Sequence, residues 1–142
     1  MKAKELQIGD YVNYRGQIIK VTSLYDKGGS NEVGWSDKES VWVNADNVEP
    51  IPLTAEILEK NGWIKTKYAY CRDCMEIHGA DKLPKGVYNA LSMARWSIDK
   101  NFQYHFLELY MWEGNVMQQN VHYVHQLQHA FHIFGIEIEI EL

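Results

Sequence analysis

The chain of 142 residues is 46% hydrophobic and 13% aromatic, a composition too rich in core-forming side chains for disorder and sufficient for one compact body. It carries 14 Lys and Arg against 19 Asp and Glu, and the net charge of −5 disfavours duplex nucleic acid as a partner. The start of the sequence lacks the apolar stretch of a secretion signal, no apolar run approaches a membrane span, and two cysteines fit a reducing interior, so we expect a cytoplasmic protein with no membrane partner.

Residues 1–50 have the pattern of short strands separated by strong turn signals. The predicted strands are 11–14, 17–25, 32–35 and 41–44, with turns or loops at 15–16, 26–31 and 36–39. Strands of this length and number suit a small closed or nearly closed barrel. The run Ile8-Gly9-Asp10-x-Val12, followed by Gly16 and Val21, resembles the opening of SH3-like barrels.

Pro50-Ile51-Pro52 cannot lie in a central strand and marks a boundary between residues 1–50 and an α+β lobe, residues 51–142. A helix of about two turns follows it. Thr54 can cap this helix, Glu56 suits its first turn, and Gly62 fits the left-handed stop position.

The β pattern returns after this helix. The candidate strands are 63–69, 87–98, 102–112 and 116–119. Gly114-Asn115 is the clearest hairpin turn. Leu91–Ser97 contains many helix-favouring residues, so a helix stays open there, although we favour a strand.

A histidine-rich helix is predicted over His122–Phe134. At 100° per residue its side chains sort onto two opposed faces. One face is imidazole, formed by His122, His125, His129 and His132, and the other is apolar, formed by Val124, Leu127, Phe131 and Phe134. We expect the apolar face to dock on a core and the histidines to lie outside; whether they face solvent, a metal or other residues is left open. Gly135 can end the helix.

The last residues, Ile136–Leu142, alternate between apolar residues and glutamate as a strand with one buried face does. The predicted fold is therefore α+β: a small N-terminal SH3-like β-barrel packed on a C-terminal antiparallel sheet with one short and one longer helix. The alternating terminal strand and the abundant aromatic residues also suggest a homodimer.

Three groups of residues resemble a known family. They are Leu53-Thr54-x-Glu56-x-Leu58-x-x-x-Gly62-Trp63, Tyr123-Val124-His125-Gln126-Leu127-Gln128, and Gly135 before an acidic strand. The pattern is similar to that of small uncharacterised proteins frequent in phages, prophages and other mobile elements of gut anaerobes. Because that family has no assigned activity, the resemblance implies a mobile-element context and carries over only His125 and its motif neighbours. The family often has Phe where this chain has Trp63, and the other helix histidines are not part of its pattern.

Two groups have the spacing of metal ligands. His125 and His129 stand at i and i+4, a separation that zinc can bridge, although Gln126 cannot act as the general base of a metalloprotease. Cys71 and Cys74 form a CxxC turn that can direct both thiolates at one zinc ion, and His78 could add a third ligand. A polar helix face and two reduced thiols in a hairpin explain the same residues without a metal. We therefore expect no cofactor, with zinc as the candidate metal.

Aromatic residues on the N-terminal strands are a further candidate surface. The set is Tyr11, Tyr14, Tyr25, Trp35 and Trp42. Most of these rings are expected in the core. Two or three exposed rings beside Arg15 and Lys20 would favour binding of single-stranded nucleic acid or of a nucleotide, and such rings can also bind a peptide.

Nothing in the sequence names a reaction. The favoured hypothesis is a non-enzymatic protein-binding module whose partner is a host or phage protein, with the His125 helix near a functional surface. The predicted binding residues are Tyr123, His125, Gln126 and His129. One alternative is a protein that sequesters a nucleotide signal in counter-defence, with His125, Gln126 and the nearby Tyr123 lining its pocket. A single-stranded nucleic-acid binder is the other alternative.

Overall fold

The computed structural model describes residues 1–36, 41–68, 71–78, 91–99, 104–135 and 138–142. They form antiparallel sheets and two short α-helices, which confirms the predicted α+β class. The chain divides into two compact units: Met1–Pro52 with Tyr123–His125, and Leu53–His122 with Gln126–Leu142. No helix in the described ranges is long and apolar enough to cross a membrane.

The first unit contains six strands in two three-stranded sheets. The strands are β1 (Tyr11–Tyr14), β2 (Gln17–Lys20), β3 (Ser23–Lys27), β4 (Ser30–Trp35), β5 (Val41–Asn44) and β6 (Glu49–Pro50). The strand orders are β2-β1-β6 and β3-β4-β5, and all neighbours are antiparallel. The sequence predicts a closed or nearly closed barrel here, whereas the described residues form two sheets and no closed barrel.

Two-residue turns close two of these hairpins. Arg15 and Gly16 have φ of 52° and 82°, and Gly28 and Gly29 have φ of 64° and 88°. Two consecutive positive φ values match the twist of paired strands, so pairing runs up to the turn. The predicted loop over 26–31 is therefore wrong except at Gly28 and Gly29, because residues 26–27 belong to β3 and residues 30–31 to β4. Of the predicted turn at 36–39, residues 37–39 lie outside the described part of the chain.

The core of the first unit lies between its short strands. Its buried members are Ala3, Leu6, Val12, Ile19, Val21, Val33, Ala45 and Val48. The Tyr14 and Trp35 rings pack at the edge of this core with their centroids 5.2 Å apart. All of these core residues are aliphatic, and most are β-branched Val or Ile, whereas the aromatic side chains of this unit lie nearer the surface.

The second unit begins with helix α1, Ala55–Lys60. Thr54 Oγ1 accepts a hydrogen bond from the Ile57 N–H at 3.3 Å, and Gly62 has φ of 86°, so both predicted helix signals are confirmed. Leu58 is buried on its inner face.

Five strands follow α1 and pair in sequence as an antiparallel meander. They are β7 (Ile64–Tyr68), β8 (Cys71–His78), β9 (Leu91–Asp99), β10 (Tyr104–Met111) and β11 (Val116–Asn120). The strand interpretation of Leu91–Ser97 is confirmed, because pairing on both sides overrides local helix propensity. Strand β8 was not predicted. Predicted strand residues 69, 87–90 and 102–103 lie outside the described part of the chain.

The second helix, α2 (Val124–His132), begins two residues later than predicted. Val124, Leu127 and Phe131 are buried, as the periodicity predicts. His125 is also buried, so the predicted outer histidine stripe is wrong at that position. His132 is exposed, and His122 precedes the helix.

The predicted terminal strand is wrong for residues 138–142, whereas residues 136–137 lie outside the described part of the chain. The Asn61 side chain occupies the backbone groups of Glu141 that a strand partner would use. Ile140 is buried while Glu139 and Glu141 are exposed, so the alternation of burial remains without a β-ladder.

Candidate functional site

The strongest candidate site is an open cleft of about 400 Å³ in the first unit, lined by Tyr25, Glu32 and Trp42; we call it the aromatic cleft. Tyr25 pairs directly with Glu32, and Trp42 pairs with Gly34, two residues further along β4. Residues two apart on a strand share a face, so register places all three side chains on one face of the β3-β4-β5 sheet.

Gly34 forms the floor beneath the Trp42 indole. A Cβ added there would lie 3.3 Å from the indole Cδ2 and Cε3 atoms and would collide with Ser23 Oγ. The absence of a side chain at Gly34 therefore lets the indole lie close to the backbone of β4.

Both rings of the aromatic cleft are open to solvent. Tyr25 is 46% exposed and Trp42 is 43% exposed, whereas Glu32 between them is half-buried. No hydrogen bond or ion pair engages the Glu32 carboxylate within the described ranges. Among the described residues, the lining of the cleft thus presents two aromatic surfaces and one negative charge.

The other predicted aromatic residues lie differently. Tyr11, Tyr14 and Trp35 are half-buried. The Arg15 guanidinium lies 5.2 Å from the Tyr14 ring centre, and the Lys20 ammonium lies 5.5 Å from that of Tyr11. Tyr11 and Tyr14 are three residues apart on β1, so they point to opposite faces of the sheet. The exposed rings therefore lie beside an acid and not beside the cations that the nucleic-acid hypothesis names.

The predicted binding residues, Tyr123 just before α2 and His125, Gln126 and His129 on it, lie in two environments. In the first unit, the Tyr123 and His125 rings stack nearly parallel with centroids 5.8 Å apart, and His125 is only 5% exposed. In the second unit, Gln126 Oε1 accepts the His122 backbone N–H at 2.8 Å, a contact that fixes the start of the helix. His129 is half-buried. These contacts give His125 and Gln126 structural roles, and ligand binding at the four residues stays a prediction.

The His122 ring contacts the ring of His105, a pairing that the sequence does not reveal. Its ring centroid lies 4.5 Å from that of His105, whose other neighbour is the Trp96 indole at 5.4 Å. His105 Nδ1 is shielded from solvent and has no hydrogen-bond partner within the described part of the chain. Burial, followed by the nearby His122, lowers the pKa of His105.

The Cys71, Cys74 and His78 segment is strand β8 and not the predicted turn. In the described ranges, no group of three or more His, Cys, Asp and Glu residues is placed to hold a metal ion. Zinc at these three residues and zinc at His125 and His129 stay predictions.

A charged row crosses the second-unit sheet, and sequence reasoning missed it. The Arg95 Nε donates to Glu76 Oε1 at 2.7 Å, and its Nη1 reaches Glu108 Oε2 at 3.4 Å and the Tyr110 hydroxyl at 3.1 Å. Gln118 Nε2 donates to the other oxygen of Glu108. Glu76, Arg95 and Glu108 each lie between apolar neighbours in sequence, and this alternation is the signal that could have found the row. These side chains hydrogen-bond to one another across neighbouring strands, so we assign the row a role in stabilising the sheet.

The chain was also compared with known proteins. No protein-family model, no curated protein and no solved structure matches it. A function for this chain therefore has to be argued from the chemistry of its own side chains.

Proposed function

We propose that this chain is a cytoplasmic, non-enzymatic protein-binding module whose partner is a host or phage protein. The observation that carries the proposal is the aromatic cleft, with Tyr25 and Trp42 exposed on a rigid sheet. Tyr and Trp supply much of the binding energy at protein interfaces. Because they are held on paired strands, they lose little conformational entropy when a partner binds.

We further propose that residues 1–50 form an SH3-like barrel. In support, β6 returns to pair with β1, and a 3-10 turn at Ala45–Asn47 leads from β5 almost directly into β6. Return of the last strand to the first is the connection that closes a small barrel. Such barrels host many unrelated functions, so this part of the proposal concerns the scaffold and not the partner.

The phage or mobile-element context is proposed from the Tyr123-Val124-His125-Gln126-Leu127-Gln128 motif. It makes a host or phage protein the expected class of partner. The contacts of Tyr123, His125 and Gln126 give this motif a role in stabilising the start of α2. The proposed binding surface is therefore the aromatic cleft and not this motif.

A displayed peptide library tests the binding function. We expect the intact protein to enrich a defined set of peptides, and the double variant Tyr25→Ala, Trp42→Ala to lose that set. The matched control is Trp112→Ala, which removes an indole that is 56% exposed in the second unit and should leave enrichment unchanged. Enrichment that survives the double variant, or that never exceeds background, would contradict the proposal.

A further inference from the structure

We propose that the aromatic cleft takes a cationic side chain, lysine or arginine, from the partner protein. This inference rests on the proposed function and names the chemistry that the same surface recognises. It is carried by three features: two exposed rings, a carboxylate between them, and a glycine beneath the Trp42 indole that lets this ring lie close to the strand.

The rings provide the first part of the argument. The face of an indole or a phenol ring carries partial negative charge, and it attracts an ammonium or guanidinium group within about 6 Å. The same contact already occurs within this unit, where Arg15 lies against Tyr14 and Lys20 against Tyr11. No cation is recorded over the ring of Tyr25 or Trp42 within the described ranges.

The Glu32 carboxylate provides the second part. It lies directly across the strand pair from Tyr25 and has no hydrogen-bonding or ion-pair partner in the described part of the chain. Lys27 lies on the same face of β3, two residues beyond Tyr25, and it forms no recorded ion pair with Glu32. An unengaged carboxylate beside two rings complements a positive charge and repels a phosphate.

The third part is shape. Gly34 has no side chain, so the Trp42 indole lies close to the backbone of β4 and forms one side of the cleft. Lysine and arginine have long apolar stems that can pack on an indole while their charged ends reach a carboxylate. A short or branched neutral side chain cannot satisfy the rings and Glu32 together.

The test is an NMR titration of the full ¹⁵N-labelled chain with three blocked tripeptides, Gly-Lys-Gly, Gly-Arg-Gly and the neutral Gly-Gln-Gly. Shifts are followed at the Trp42 indole N–H, which a Trp42→Phe spectrum assigns among the five tryptophans. We expect saturable shifts with the two cationic peptides, with millimolar dissociation constants because each contact is exposed. The neutral peptide should give no saturable shift.

Two matched variants measure how much the Glu32 carboxylate contributes to binding of the cationic peptides. Glu32→Gln should weaken binding of the cationic peptides by about threefold, the effect of one ion pair at the protein surface. Asp26→Asn removes an exposed acid from the neighbouring β3 position, whose side chain points to the other face, and should change the affinity by less than about 1.5-fold. Equal weakening by both variants would show general charge attraction and overturn the inference.

The remaining outcomes separate this inference from the proposed function. Equal binding of neutral and cationic tripeptides would overturn cation recognition while leaving the aromatic cleft as a protein-binding surface. Failure of both cationic tripeptides to saturate would also overturn the inference, and the library selection would then decide the binding function by itself. Cationic binding without library enrichment would show that the cleft takes a cation, but it would contradict the protein-binding function and, with it, the assignment of that cation to a partner protein.

Discussion

His105 is a titratable residue whose environment opposes protonation. Its ring is nearly perpendicular to Trp96 and contacts His122, and both burial and the neighbouring imidazole disfavour a positive charge there. The folded protein therefore binds the His105 proton less readily than the unfolded chain does. Folding and protonation at this position are thus linked.

This linkage predicts a pH-dependent stability. Because the folded pKa of His105 lies below its ordinary value of 6.5, the stabilising effect is present above pH 6.5 and is lost as the pH falls through the folded pKa. Urea unfolding as a function of pH measures it. His105→Phe should flatten that part of the profile, and His132→Gln, which changes an exposed histidine, should not. An unchanged profile in His105→Phe would contradict the prediction.

At the scale of one element, Asn61 binds the terminal segment as a strand would. Its Nδ2 donates to the backbone carbonyl of Glu141 at 2.8 Å, and its Oδ1 accepts the Glu141 N–H at 2.9 Å. The same Nδ2 also donates to Ile57 O at 2.8 Å, which orients the amide at the end of α1. One side chain thus satisfies the peptide groups that the predicted terminal strand needed for a sheet.

Asn61→Ala should therefore release residues 138–142. We expect a loss of about 1–2 kcal/mol in the free energy of unfolding, since three partly exposed hydrogen bonds are removed. Hydrogen exchange at the Glu141 amide should accelerate. The comparison is Lys60→Ala, which removes an exposed ion pair to Glu141 at 3.3 Å and an exposed hydrogen bond to the Leu142 carbonyl at 2.9 Å, and should cost less than about 1 kcal/mol. A larger effect from Lys60→Ala would assign the anchoring to charge instead.

At the scale of the whole molecule, the charge balance sets which polymers the chain can approach. The net charge of −5 gives no general attraction to phosphate backbones. The predicted homodimer loses one of its two grounds, because residues 138–142 are not a strand with an open edge. Its other ground, the abundance of aromatic residues, leaves the homodimer a prediction.

The charge balance predicts that duplex DNA does not bind. Fluorescence anisotropy of a labelled duplex in about 0.1 M salt should stay constant as protein is added up to micromolar concentration. The control is the same titration at lower salt, where any electrostatic binding would become stronger. A rise in anisotropy that weakens steeply with added salt would show a basic surface that the composition conceals.

The sequence by itself determined the features that depend on neighbouring residues. The Thr54 cap, the Gly62 stop and the Arg15-Gly16 turn were predicted because a few adjacent residues fix their backbone angles and hydrogen bonds. The apolar face of α2 followed in the same way from its helical period.

Tertiary structure decided which of several similar residues are buried and what their side chains contact. It exposed Tyr25 and Trp42 while packing Trp35 against Tyr14, and it buried His125 although the helix period placed it on the polar face. These outcomes depend on residues far apart in sequence, whose contacts are set by strand register and by packing of the core. Local periodicity contains no information on those distances, so the aromatic cleft became visible only in the folded chain.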